Sequence, residues 1–187
     1  MEETLGALDH AVRSGKALYA GMSNYSGKQL EEAVGLTRHF HLSPILVEQS
    51  SYSLLNRRVE SDLLPSVRHA GTGVVAFSPL SQGLLSEKYL QGVPEGSRAA
   101  KIWSQEQRER ITPAVREIVS KLNEVAKARG QTLPQMAIAW ILRRPEITTV
   151  LIGASDIQQI NENAGALQKL QFSPEELQQI DAILQPR

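Results

Sequence analysis

The sequence predicts a parallel α/β fold, and two observations carry the prediction. Short apolar runs recur at residues 17–22, 45–47, 73–77 and 149–152. The first, third and fourth are nearly continuous in aliphatic and aromatic side chains rather than alternating, the pattern of strands buried on both faces. The second, Ile45 to Val47, is short enough to read as a buried turn. Between these runs the apolar spacing changes to three and four residues, the helical period. Strands alternating with helices imply βαβ units.

Taken in order, residues 4–14 place Leu5, Leu8 and Val12 on one helical face, closed by Gly15. Ser26 is the N-cap expected before a helix carrying Leu30, Ala33, Val34 and Thr37, because its hydroxyl can accept an orphan first-turn N–H. Thr112-Pro113 opens the longest helix, with the stripe Val115, Ile118, Val119, Leu122, Val125 and Ala126, and Gly130 ends it. A second helix starts at Thr132 to Pro134 and carries Met136, Ile138, Trp140, Ile141 and Leu142. Ser155-Asp156 opens one with Ile157, Ile160 and Ala164. Ser173-Pro174-Glu175-Glu176 is a capping box before Leu177, Ile180 and Leu184. Residues 84–104, rich in Gly, Ser and charge, break the rhythm and read as a long functional loop.

Composition excludes several classes of function. Twenty basic and twenty acidic side chains cancel, leaving no basic excess for nucleic acid or an acidic lipid surface. Cysteine is absent, which removes disulfides, thiolate catalysis and Cys-ligated metals. No apolar run approaches the length of a membrane span, and the acidic start Met1-Glu2-Glu3-Thr4 is unlike a secretory signal. The expectation is a cytoplasmic globular protein.

In parallel α/β folds, ligands gather at the carboxyl ends of the strands. Those ends read Gly21-Met22-Ser23-Asn24, Glu48-Gln49-Ser50, Phe77-Ser78-Pro79-Leu80 and Ile152-Gly153-Ala154-Ser155. Asn and Gln amides can pair with a carboxamide while an aromatic face stacks on a flat ring. The same residues also serve as ordinary turn residues and caps, so the set does not by itself identify a ligand.

Four runs in register narrow the choice. Residues 21–26 (GMSNYS), 49–57 (QSSYSLLNR), 76–85 (AFSPLSQGLL) and 151–155 (LIGAS), the last followed by Gln159, Glu162 and Asn163, resemble successive strand ends of the aldo-keto reductases. The similarity spans the chain and points to the branch of bacterial glyceraldehyde-3-phosphate reductases and potassium-channel beta subunits. It implies the C-terminal half of a (β/α)8 TIM barrel: residues 1–187 as one domain segment holding strands 5–8, with an extra helix between the third and fourth of them.

The resemblance also implies NADP(H) as cofactor and an aldehyde or ketone as substrate. Ser23, Asn24 and Gln49 correspond to residues that hold the nicotinamide carboxamide, and Phe77 to an aromatic stacked on the ring. Ser78, Pro79, Leu80, Ser81 and Gln82 fall in the segment that wraps the pyrophosphate. Lys88 and Arg98 match phosphate clamps, though each also reads as a solvated loop charge. Gly153, Ser155, Gln159, Glu162 and Asn163 resemble the site for the adenosine end, where a helix N-terminus favours an anion.

Family catalysis uses an Asp, a Tyr acid, a Lys and a His from the first four strands, and no residue here matches that tetrad. Tyr19, Tyr25, Tyr52 and Tyr89 align with non-catalytic positions. Hydride transfer needs a proton donor beside the carbonyl oxygen, so the chain alone is expected to be a poor reductase or none. A non-catalytic regulatory subunit and a truncated remnant are the rival readings. Four strands also leave open edges, which favour self-association or a separately made N-terminal half. His10, His39, His41 and His69 lack metal-ligand spacing and read as surface residues. Trp140 reads as core, and Trp103 as an anchor of the long loop.

Overall fold

Four parallel strands lie in the order β1-β2-β3-β4: β1 (Ala20–Ser23), β2 (Ile45–Ser51), β3 (Gly73–Phe77) and β4 (Ile147–Leu151). The computed structural model describes residues 1–95, 97–101 and 103–185, and for Arg98, Glu106 and Gln107 the backbone alone. The strand predicted at 73–77 forms within those bounds. The segment read as a short turn, 45–47, instead opens a seven-residue strand. Its polar second half, Glu48-Gln49-Ser50-Ser51, conceals the strand in the sequence, and pairing of Ser23 with Gln49 and of Ser51 with Phe77 supplies the backbone partners.

The helices are α1 (Glu2–Arg13), α2 (Gly27–His39), α3 (Leu63–Ala70), α4 (Arg98–Lys101), α5 (Gln105–Glu109), α6 (Pro113–Ala128), α7 (Leu133–Leu142), α8 (Ile157–Ala164) and α9 (Pro174–Leu184). Their caps follow the sequence. Ser26, Thr132 and Ser173 each form a complete capping box, and Thr112 accepts from Val115 N–H. Each cap satisfies a first-turn N–H that would otherwise be orphaned. Helix α3 carries no such signal, since Asp62 makes no side-chain cap.

Two compact units emerge. The first comprises residues 1–52, 56–77 and 144–151, and the second 53–55, 78–143 and 152–187. In the first unit the sheet buries one face: Ala20, Met22, Glu48, Ser50, Val74, Ala76 and Ile147 are buried, while Ser23, Leu46, Gln49, Thr148, Thr149 and Leu151 are exposed. The two-sided burial read from the apolar runs is therefore corrected to one-sided burial. The covering helices α2 and α3 contribute Leu30, Ala33, Leu63, Leu64 and Val67. Each fully buried leucine contributes about 2 kcal/mol of apolar transfer.

In the second unit, α6, α7 and α9 bury Leu122, Val125, Met136, Trp140, Ile141 and Ile180. Arg129 clamps this unit from a nearly inaccessible position. Its guanidinium pairs with Glu176, donates to Gln171 O at 3.0 Å and lies 3.6 Å from the Phe172 ring centroid. Within the stretch 84–104, read from the sequence as a long functional loop, described residues form a packed cluster. Leu84, Tyr89, Ala99 and Trp103 pack into a small core, with Leu55 and Ile111 against it. The Trp103 ring lies 5.7 Å from Tyr89, an anchoring role.

Candidate functional site

The carboxyl edge of the sheet in the first unit assembles one cluster. Ser23 ends β1 in register with Gln49, and Phe77 ends β3. Ser23 Oγ donates to Gln49 O at 3.0 Å, and Asn24 Nδ2 donates to Ser23 Oγ at 3.2 Å. Ser23, Asn24 and Gln49 are all exposed, and Phe77 is half-buried. One of the two Asn24 amide hydrogens, its carbonyl and the Gln49 amide remain directed to no partner among the described residues. Asn24 holds φ 58°, a left-handed conformation that asparagine tolerates better than most residues.

That conformation is pinned from β2 on both sides. Asn24 N–H donates to Gln49 O at 3.0 Å, and Tyr25 N–H donates to Glu48 Oε1 at 3.0 Å. Glu48 is 0% exposed; its Oε1 also accepts from Ser50 Oγ at 3.0 Å, while Oε2 is buried without a partner. Burial pushes the Glu48 carboxyl above its ordinary value, opposed by the Tyr25 and Ser50 hydrogen bonds. Beside this cluster, Asn24, Tyr25, Ser50, Ser51, Asn56 and Arg58 line part of a polar cavity of about 170 Å³.

The second unit carries the other predicted residues. Ser78 (φ 56°), Ser81 (φ 47°) and Gln82 (φ 61°) are non-glycine residues in the left-handed region, so residues 78–83 form an unusually tight turn. Left-handed non-glycine residues cost of order 1 kcal/mol each, and such conformations cluster at ligand sites. The turn is stapled by the Ser53 and Ser81 hydroxyls, 2.9 Å apart, and by Leu85 N–H donating to Leu80 O at 3.1 Å. Pro79 is buried, Leu80 half-buried, and Lys88 exposed. Arg98 begins α4, and its side chain lies outside the described residues, as do Gly96 and Ile102 of the long loop.

At the start of α8 the N-cap is Asp156, not Ser155. Asp156 Oδ1 accepts from Gln159 N–H at 2.9 Å, and Gln159 Nε2 donates to Ser155 Oγ at 2.7 Å and Asp156 Oδ2 at 2.8 Å. Gly153 and Ser155 are exposed. Glu162 is half-buried, its carbonyl accepting from Gln135 Nε2 at 2.9 Å, and Asn163 is buried. A carboxylate thus already faces the positive end of the α8 dipole.

Of the tyrosines, Tyr52 is fully buried with its hydroxyl donating to Glu60 at 2.6 Å, and Tyr89 is buried against Trp103. Among the described residues no group of three His, Asp or Glu side chains could hold a metal, and no helix is long and apolar enough to cross a membrane. All four histidines are exposed.

Against this geometry, the profile of the Aldo/keto reductase family matches residues 1–185. The chain belongs to the aldo/keto reductase family. Among curated relatives, the L-glyceraldehyde 3-phosphate reductases of Escherichia coli O157:H7 and of Escherichia coli strain K12 are each 46% identical over 185 residues. Each alignment covers 97% of this chain and 53% of the relative, so the chain spans about half the length of the curated relatives it matches. This aldo/keto reductase chain has the parallel strands and intervening helices that its sequence predicts. Glu48 and Asp156 are the polar residues at these positions to which sequence reasoning gave no part in the site. Glu48 was visible only as the neighbour of Gln49 pointing to the opposite face, and Asp156 as a second capping residue after Ser155.

Proposed function

We propose that this chain is the cofactor-holding, C-terminal half of a (β/α)8-barrel aldo-keto reductase, one domain segment with strands 5–8, which takes NADP(H). The observation that carries the reading is the pair of exposed amides, Asn24 and Gln49, joined by the 3.0 Å bond from Asn24 N–H to Gln49 O at the carboxyl edge of the sheet, where the half-buried Phe77 ends β3. The donor set fits a nicotinamide carboxamide, which offers one carbonyl acceptor and two N–H donors. When bound, the cofactor supplies a hydride to the carbonyl carbon of an aldehyde or ketone. Asn24 and Gln49, with Ser23, orient the carboxamide, and Phe77 covers one ring face. The tight turn from Ser78 through Pro79, Leu80, Ser81 and Gln82 takes the pyrophosphate, with Lys88 and Arg98 as the countercharges. Gly153, Ser155, Gln159, Glu162 and Asn163 receive the adenosine end.

By analogy with the relatives' name, the substrate is a small phosphorylated aldehyde of the glyceraldehyde 3-phosphate kind. The proton donor then comes from outside this chain: Tyr52 and Tyr89 are buried and engaged, and the resemblance puts Tyr19 and Tyr25 at non-catalytic positions. The test is titration of the purified chain with NADPH, following cofactor fluorescence and oligomer size together. Saturable binding that weakens in Asn24→Ala, Gln49→Ala and Arg98→Ala is expected, with little aldehyde reduction. A folded chain that binds no NADPH would overturn the reading.

A further inference from the structure

The two peptide groups flanking Asn24 are both tied to β2, one through a main-chain carbonyl and the other through a side chain. Asn24 N–H reaches Gln49 O at 3.0 Å, and Tyr25 N–H reaches Glu48 Oε1 at 3.0 Å. With both peptides fixed, the φ of 58° and the direction of the Asn24 side chain are fixed as well. The main-chain tie is available to any sequence. The second depends on an acceptor at the tip of residue 48, on the buried face of the sheet.

Glu48 is a costly choice for that position. It is 0% exposed, and Oε2 has no partner, whereas a buried carboxylate ordinarily demands a cation or a full set of donors. Both donors that reach Oε1, Tyr25 N–H and Ser50 Oγ, belong to residues lining the cavity that Asn24 also lines. The carboxylate thus ties two residues of the cavity wall together from the buried face of the sheet, which Ser50 shares.

We propose that Glu48 is a positioning residue: its buried carboxylate locks the Asn24–Tyr25 peptide and thereby aims the Asn24 amide at the cofactor carboxamide. This rests on the reading of Asn24 as a carboxamide ligand. Glu48 touches no cofactor atom itself and acts through the backbone. A glutamine keeps a carbonyl acceptor for Tyr25 N–H; methionine, of similar size, does not.

The test separates local aim from general integrity with two ligands and one backbone probe. Binding of NADPH is compared with binding of 2′,5′-ADP, which carries the adenosine end and no nicotinamide. Exchange of the Tyr25 amide hydrogen is followed in the same proteins. Glu48→Met is expected to lose about tenfold in NADPH affinity and a comparable factor of Tyr25 amide protection, with 2′,5′-ADP affinity unchanged. Glu48→Gln is expected to restore NADPH affinity to within about threefold of wild type. Asn24→Ala combined with Glu48→Met should bind no more weakly than Asn24→Ala alone. Should Glu48→Met not fold, Glu48→Ala gives the same comparison without added bulk.

Equal loss for both ligands, or unchanged NADPH affinity despite a deprotected Tyr25 amide, overturns the positioning role while leaving the cofactor reading intact. Wild-type chain that binds 2′,5′-ADP but gains nothing from the nicotinamide half overturns the carboxamide reading and this inference with it.

Discussion

Helix α2 contains two glycines that predict opposite outcomes for the same substitution. Gly27 is the first residue of the helix, directly after the Ser26 cap, and Gly35 lies in its exposed interior. A Cβ on Gly27 would collide with the Asp62 carbonyl oxygen and come within 2.6 Å of Ser66 Oγ, at the start of α3. Neither obstacle is the free end of a flexible chain. The Asp62 carbonyl is backbone, and Ser66 Oγ is committed to Glu31 Oε1 at 2.7 Å. Relief requires separating α2 from α3, which also breaks the 3.1 Å bond from Gly27 N–H to Asp62 Oδ1. Overpacking costs about 1–3 kcal/mol and a lost charged hydrogen bond about 1.5 kcal/mol, so Gly27→Ala should cost about 3 kcal/mol. At Gly35 nothing lies within 4 Å of the added methyl. There the helix propensity of alanine should stabilise by about 1 kcal/mol. Urea unfolding followed by far-UV circular dichroism measures both. Equal shifts for the two variants, or a Gly27→Ala change under about 0.5 kcal/mol, would refute the argument from the α2–α3 contact.

Other substitutions test the remaining features. Arg129→Met strands Glu176 without its buried partner and removes the Phe172 contact, so the midpoint of urea unfolding should fall by the equivalent of about 3 kcal/mol; an unchanged midpoint would show that the clamp contributes nothing net. Glu48 has a raised carboxyl pKa, so its contribution to stability is present below the unfolded value and is lost as pH rises through the folded one. Wild type should therefore lose stability relative to Glu48→Gln as pH climbs from 4 toward neutrality, and a flat difference would contradict this. Asp156→Asn keeps a capping side chain while removing a negative charge from the mouth of α8. NADPH affinity should rise by the equivalent of about 1 kcal/mol with NADH affinity unchanged; equal changes in both would place the 2′-phosphate elsewhere.

What could be read in advance divides along a physical line. Local signals were legible: the caps at Ser26, Thr112, Thr132 and Ser173, and the apolar strand at 73–77, depend on residues within a turn of one another. Helix α3 was missed because Pro65 sits in its first turn and no side chain caps it; proline is tolerated there since the first-turn N–H groups lack helical partners anyway. The polar half of β2 was missed because its partners lie about 25 positions away in either direction. Likewise, the exposed amides Asn24 and Gln49 announce themselves by type and place. The role of Glu48 depends on a backbone N–H 23 positions upstream, and no pattern along the chain encodes that distance.

The sheet order β1-β2-β3-β4 also bears on how the chain assembles. Ala20 pairs with Ile45 and Val47 with Gly73, ladders that close over 25 and 26 residues, whereas Val74 pairs with Ile147 across 73. Most of the second unit is spent inside that last connection. Ring closure grows only logarithmically with length, so the longer excursion costs only about 0.9 kcal/mol more than its predecessor. The first three strands can therefore zip in chain order as a ribosome delivers them. The fourth waits for some seventy further residues, and until it docks, β3 keeps one row of unpaired peptide groups, a transient docking edge that a chaperone or a neighbouring nascent chain could reach first.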